Sequence, residues 1–313
     1  MPARPALEPV PSLDAPPLDG AGVSLLVPAY NEEHGLESVL RSVEAALDST
    51  DLEYEIVVVD DGSSDRTAQA ARGDRVRLIR HPSNRGYGAA LKSGLRHARF
   101  PIIAITDADG TYPSERLPEL LGHLVEQNAD MVVGRRSLGR VAIPWVRRPA
   151  KWILGRLADF ACGRSIPDVN SGLRVFRRDT ALLFYSLFPD GFSFTTTITL
   201  AMESNAFAVH YLPIEYHKRI GRSKIRPISD TLNFLHLILR IALYFSPLKI
   251  FLPLALALTL AGAGWGFFSF SVLDRFADTS TLVLLLAGLQ IGVVGLLAEI
   301  INHRVPNSFR RAP

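Results

Sequence analysis

The chain has 313 residues, a formal net charge of +3 and a single cysteine. That length accommodates one domain of about 200 residues with something added, and one cysteine excludes an intramolecular disulfide and a cysteine-based zinc site. The small positive total fits ordinary solubility as well as attraction to anionic lipid headgroups or phosphate substrates, so the positions of Arg and Lys must decide.

Residues 1–20 are rich in Pro and Ala without periodicity and read as a disordered leader, lacking the charged and apolar regions of a cleavable signal peptide. The main domain is expected over 21–226. Ser24-Leu-Leu-Val-Pro-Ala29 predicts a buried strand leading into Tyr30-Asn-Glu-Glu33, and apolar residues from Leu36 to Leu47 recur at helical spacing. Glu55-Ile-Val-Val-Val-Asp60 predicts a second strand, ended by Asp61-Gly-Ser-Ser64, with Ser64 or Asp65 capping a helix through Ala71. Strand-like runs follow at Val76–Ile79, Ile102–Thr106 and Met131–Val133, separated by helical stretches such as Ala89–Ala98 and Leu117–Gln127. Such alternation with continuous apolar strands predicts an α/β fold with a mainly parallel sheet covered on both faces. Ligands bind beyond the C-terminal strand ends of such sheets. Those ends carry Tyr30-Asn-Glu, Asp60-Asp-Gly and Asp107-Ala-Asp, which together make one candidate site. Cys162 sits among Leu157, Ala158, Phe160 and Ala161 and reads as a buried structural thiol.

The C-terminal quarter is different. Residues 227–246 place Asp230, Asn233, His236 and Arg240 three or four apart with apolar residues between, a pattern that suits a helix lying in the membrane surface; an amphipathic core helix is the competing reading. Residues 247–302 hold two apolar stretches, about 250–273 and 279–301, without charge from Ile250 to Leu273 and from Thr279 to Ala298, each long enough to cross about 30 Å of hydrocarbon. Only Asp274-Arg-Phe-Ala-Asp278 separates them, so they predict a transmembrane hairpin rather than two core helices. Arg219, Arg222, Lys224, Arg226, Arg240 and Lys249 precede it, and the basic tail 303–313 follows with Arg304, Arg310 and Arg311. Positive flanks favour the cytoplasm, which predicts a multi-pass protein of the cell (inner) membrane with main domain and both termini cytoplasmic.

Asp107-Ala-Asp109, just past an apolar strand, offers two hard oxygen ligands to Mg²⁺ or Mn²⁺. A metal there would neutralise a departing diphosphate. Val27-Pro-Ala-Tyr-Asn-Glu32, Val59-Asp-Asp-Gly-Ser63, Asn84-Arg-Gly86 with Gly88, and Asp107-Ala-Asp109 resemble glycosyltransferase family 2 of the GT-A fold. The wider pattern, from Val23 to the second apolar run, is similar to dolichol-phosphate mannose synthase and related bacterial polyprenyl-phosphate glycosyltransferases.

The resemblance implies that Pro28, Tyr30, Glu32, Asp60 and Asp61 hold the base and ribose of an NDP-sugar, GDP-mannose or a UDP-hexose. It implies that Asp107 and Asp109 hold the metal and the diphosphate. Asp60-Asp-Gly-Ser also reads as an Asx turn and helix cap. Relatives often place Leu-Gln or Leu-His after the metal motif; here Gly110-Thr-Tyr-Pro113 follows, so no third protein ligand is assigned. The stretch from His217 to Lys224 resembles the family's Arg-x-x-Gly-x-Ser-Lys loop. The candidate ligands of an acceptor phosphate are Arg136, Arg219 and Lys224, then Arg135, Arg147 and Arg148, because guanidinium forks donate paired hydrogen bonds. Arg136 and Arg219 join the two aspartates as catalytic candidates.

Family members that glycosylate hydroxyls often carry a Glu-Asp pair whose Asp is the general base. The comparable stretch, Gly191-Phe-Ser-Phe-Thr-Thr-Thr-Ile198, has no carboxylate before Glu203. A phosphate monoester needs no base, since its second pKa is about 6. The expectation is therefore inverting transfer to polyprenyl (undecaprenyl or dolichyl) phosphate at the bilayer. A polysaccharide synthase or glycolipid glycosyltransferase with a hydroxyl acceptor is the alternative. The partners are NDP-sugar, polyprenyl phosphate and the lipid bilayer, with no nucleic acid; relatives suggest self-association as a homo-oligomer. The eight histidines show no ligand spacing.

Overall fold

The computed structural model describes residues 22–137, 165–191, 193–216, 247–273 and 279–304, with positions 160 and 243. The expected leader, most of the expected interfacial helix, the connection 274–278 and the tail beyond 304 lie outside the described residues. So do Arg147, Arg148, Cys162, Arg219 and Lys224.

Seven strands form one sheet in the order β3-β2-β1-β4-β6-β5-β7. They are β1 (Val23–Ala29), β2 (Tyr54–Asp60), β3 (Val76–Arg80), β4 (Ile102–Ile105), β5 (Met131–Arg136), β6 (Arg174–Arg177) and β7 (Val209–Ile214). The apolar runs of β1, β2 and β4 are buried at every position, as strands covered on both faces must be. Helices α1 (Leu36–Asp48) and α4 (Leu117–Glu126) cover one face, packing Leu40, Val43 and Leu120 against Leu25, Val27 and Ile56. On the other face, α3 (Tyr87–His97), α5 (Arg178–Leu183) and α6 (Phe194–Ser204) pack Leu91, Ala181 and Ile198 against Leu26, Val57 and Ile103.

The predicted strands and long helices are present within a residue or two, except that β5 extends to Arg136 and the helix after Ser64 is a single turn, α2 (Thr67–Ala70). Its N-cap is Arg66, with no side-chain cap, so neither Ser64 nor Asp65 caps it; Asp65 instead forms an Asx turn, accepting from the Thr67 N–H at 2.9 Å. β6 was not predicted. It runs antiparallel between β4 and β5, pairing Ile105 and Val133 with Arg174. This reversal positions the site, because the chain enters β6 at the rim where the parallel strands end.

The C-terminal helices α7 (Leu248–Leu273) and α8 (Thr279–Arg304) pack along each other as an antiparallel hairpin. Their contact is lined by small residues that allow close approach: a Cβ at Gly288 would lie 2.4 Å from Thr259 Oγ1, and one at Gly295 2.6 Å from Phe251 Cβ. Most other side chains point outward, with Leu260, Phe267 and Leu289 more than half exposed. Only 11% and 17% of the two apolar windows are buried, so these are not core helices.

Candidate active site

The ends of β1 and β2 are sewn together by side chains that serve backbone. Asn31 adopts φ 52°, a left-handed conformation that Asn tolerates, and its N–H donates to Ser63 Oγ at 2.9 Å. Its own Oδ1 accepts from the Ser64 N–H, while the Glu32 N–H donates to Thr67 Oγ1 at 2.8 Å. Tyr30 and Glu32 are thereby held half-buried at the rim, beside buried Pro28.

Asp60 is fully buried. One carboxylate oxygen accepts from the Ser63 N–H at 2.9 Å, the Asx-type turn expected from the sequence. The other lies 3.2 Å from Arg80 Nε as an ion pair but receives no well-directed hydrogen bond among the described residues. Beside it an open cavity of about 400 Å³ is lined by Gly62, Ser63, Arg80, His81 and Pro82. Asp61 is spent differently. Its carboxylate accepts from the N–H groups of Arg85 and Gly86 and lies 2.6 Å from His81 Nδ1, whose other ring nitrogen is 2.8 Å from Ser93 Oγ. Its lone pairs build the Asn84–Gly88 loop, a role the sequence reading did not assign. That loop needs glycine: Gly86 sits at φ 106°, and a Cβ at Gly88 would come within 2.1 Å of Pro189 O.

Beyond β4, Asp109 is buried and its Oδ1 accepts from the Thr111 N–H and hydroxyl at 3.1 and 2.6 Å. Asp107 is half-buried; its Oδ1 accepts from the Tyr87 hydroxyl at 3.0 Å, and its carboxylate lies so close over Gly172 that a Cβ there would meet it at 2.9 Å. The Tyr112 hydroxyl accepts from the Gly172 N–H at 2.7 Å. Burial, then the charge of Asp107, pushes both phenols well above their ordinary value, so Tyr87 and Tyr112 remain neutral donors.

Arg136, at the end of β5, is clamped. Its Nε and Nη2 donate to the two oxygens of Asp168 at 2.8 and 2.9 Å, and its backbone N–H adds a third bond. The guanidinium also lies over the Tyr216 ring, which meets Tyr112 edge-on. Burial works against both charges, yet the paired hydrogen bonds outweigh it, holding Arg136 above and Asp168 below their ordinary values. The sequence reading missed Asp168; the polar run Asp168-Val-Asn-Ser-Gly172 before β6 was the available signal. Arg135 is exposed on the same strand.

The residue types fit a divalent metal. Asp107 and Asp109 supply hard oxygens from one strand end, and Mg²⁺ characteristically takes one or two carboxylates and completes its shell with water and substrate phosphates. Among the described residues no group of three or more His, Cys, Asp or Glu side chains is arranged to hold a metal.

The sequence profile of Glycosyl transferase family 2 matches residues 24–182, the stretch containing these clusters. The chain belongs to glycosyl transferase family 2. It is a glycosyltransferase with a GT-A-like α/β domain. The profile named GtrB C-terminal hairpin matches residues 246–303, and both helices are long and apolar enough to cross a bilayer, which marks a membrane-anchored family 2 enzyme. A dolichyl-phosphate hexose transferase of Haloferax volcanii is 31% identical over 208 residues, covering 66% of this chain and 88% of that protein. A dolichyl-phosphate beta-glucosyltransferase of Trichomonas vaginalis is 31% identical over 241 residues, 71% of each. Among solved structures, glucosyl-3-phosphoglycerate synthase from Mycobacterium tuberculosis, in complex with Mn²⁺, UDP and phosphoglyceric acid, shares the fold at TM-score 0.56 and 23% identity, covering 72% of this chain and 80% of that one.

Proposed function

We propose that this glycosyltransferase moves a sugar, with inversion, from an NDP-sugar to polyprenyl phosphate, releasing NDP. The observation that carries the reading is the Arg136–Asp168 clamp. Among the described residues Asp168 is the carboxylate paired with Arg136, which holds it below the ordinary carboxylate range. A carboxylate so stabilised is a weak base for removing the proton of an alcohol. The turn that could supply another base begins α6 with Phe194-Thr-Thr-Thr. Glu203, the first carboxylate in that helix, is buried near its far end, accepting from the Tyr211 hydroxyl. An acceptor that arrives already ionised, as a phosphate does, needs no such base, which supports this reading. The two dolichyl-phosphate sugar transferases among the enzyme's relatives agree with such an acceptor.

In this reading Asp60, whose second oxygen faces Arg80 beside the cavity, takes the nucleoside together with Pro28, Tyr30 and Glu32, while Asp61 fixes the loop around it. Asp107 and Asp109 would hold Mg²⁺ or Mn²⁺, which when bound supplies positive charge to the diphosphate. Arg136 and Arg135 orient the acceptor phosphate, with Arg147, Arg148, Arg219 and Lys224 as further ligands. A phosphate oxygen attacks the anomeric carbon opposite the diphosphate; the new C–O bond forms as the old one breaks, and both electrons leave with NDP. The site faces the cytoplasm, with 227–246 in the membrane surface and the two helices spanning the bilayer.

The deciding experiment offers GDP- and UDP-sugars with either polyprenyl phosphate or the matching polyprenol, in vesicles. Transfer to the phosphate alone, rising through about pH 6 with its second ionisation, is the expected result. Equal transfer to the alcohol would overturn the reading.

A further inference from the structure

Arg174 opens β6 and is wholly buried, yet it forms no ion pair among the described residues. Its guanidinium bonds neutral acceptors instead. Nε and Nη2 donate to Ser171 O, and Nη1 donates to Thr195 O at 3.0 Å and Thr199 Oγ1 at 2.9 Å, with Met131 Sδ nearby. Burial lowers its proton affinity, but a guanidinium stays charged. A buried, unpaired cation is an arrangement that folding alone disfavours; a hydrophobic side chain would fill the volume at less cost.

Its surroundings explain the retention. Asp168 is a charged group that acts on it, with the neutral phenols of Tyr87 and Tyr112 nearby, and the Ser171 carbonyl it grips adjoins Gly172 under the Asp107 carboxylate. Tyr87 donates to Asp107, Tyr112 holds the Gly172 N–H, and Asp168 clamps Arg136. By gripping Ser171 O and the first turns of α6 together, Arg174 fixes the 168–172 segment against a helix more than twenty residues onward. One end of that segment sets the clamp, and the other supplies the Gly172 surface beneath Asp107.

We propose that Arg174 is a positioning residue for transfer: it locks the 168–172 segment and places a fixed positive charge behind Asp107, on the far side of Gly172. Buried in a low dielectric, that charge is little screened by salt. It opposes the build-up of cations at the aspartates and favours the anionic diphosphate.

The inference rests on the metal reading above, and direct binding separates the two. Mn²⁺ binding to the full-length protein, followed by electron paramagnetic resonance without donor, is compared for wild type, Arg174→Gln and Arg174→Lys, with circular dichroism as the check on folding. Arg174→Gln should bind Mn²⁺ roughly threefold to tenfold more tightly, because a like charge has gone, and should bind nucleoside diphosphate more weakly. A purely structural role would loosen both. Arg174→Lys keeps the charge but loses the fork, so it should match wild type for Mn²⁺ while raising the acceptor KM by about tenfold. A wild type that binds no Mn²⁺ overturns the metal assignment itself. Wild-type binding with unchanged or weaker Mn²⁺ affinity in Arg174→Gln overturns the inference alone. If Arg174→Gln fails to fold, an unchanged acceptor KM and kcat in Arg174→Lys overturns it equally.

Discussion

The two sides of the site are organised by different forces. On the proposed donor side, from Tyr30 to Gly88, carboxylates and hydroxyls chiefly serve backbone N–H groups, Asp60 serving Ser63, Asp61 serving Arg85 and Gly86, and Thr67 serving Glu32, with an ion pair from Asp60 to Arg80 beside them. On the acceptor side, charge is matched with charge, Arg136 with Asp168, over the Tyr216 ring. A backbone cradle fixes shape, which suits the nucleotide proposed to bind there. A charge clamp fixes an ionisation state, which matters where the ligand is itself an anion. The contrast teaches that one half is built for geometry and the other for electrostatics.

The largest expected effect removes what joins the halves. Asp109→Ala should lower transfer by more than about a hundredfold, since loss of a metal carboxylate forfeits several kcal/mol of charge stabilisation. Rates within tenfold of wild type at saturating Mn²⁺ and Mg²⁺ would break the comparison at its centre.

Next, Asp168→Asn tests the electrostatic half alone. Breaking a largely buried pair should cost about 1–3 kcal/mol of stability, allowing for the partial exposure of Arg136. The acceptor KM should rise by about tenfold while the donor KM stays put. The pH dependence has a definite sign. Asp168 is held below its unfolded value, so its contribution is present above about pH 4 and disappears as pH falls through the lower folded value. Thermal melts of the wild type should lose this increment only in acid, and Asp168→Asn should lack that part of the acid limb. Identical acid limbs would remove the clamp from the stability argument.

The smallest effect belongs to Tyr87→Phe. Deleting the hydroxyl removes one hydrogen bond to Asp107, worth about 1 kcal/mol, so kcat/KM should fall about fivefold with no change in acceptor KM. A selective change in acceptor KM would place Tyr87 on the other side of the divide.

The donor side was legible in the sequence because its signals are local. An apolar run followed by Asp-Asp-Gly-Ser or Asp-Ala-Asp is a buried parallel strand ending in polar side chains, and the structure places Tyr30, Asp60, Asp107 and Asp109 at such ends. The acceptor side was not. β6 begins and ends in arginine, and nothing local indicates that Arg174 and Arg177 are buried. What makes their burial tolerable lies far away: Arg174 relies on Thr195 and Thr199, and Arg177 on the carbonyl of Ala129. β7 likewise hid behind Pro213 and half-exposed side chains. The Asp168–Arg136 partnership spans 32 residues, which no window of spacing detects.

The reversed direction of β6 also governs how the enzyme can change. Because β5 ends and β6 begins at the same rim, the chain leaves after Arg136 and returns at Arg174 beside the proposed acceptor site. Lengthening such a loop carries a closure cost that grows only logarithmically, about 0.6 kcal/mol per doubling. Insertions and exchanges in that connection can therefore retune what the enzyme glycosylates while β1, β2 and the Asn84–Gly88 loop keep the donor. One antiparallel strand would make the proposed acceptor half a replaceable module.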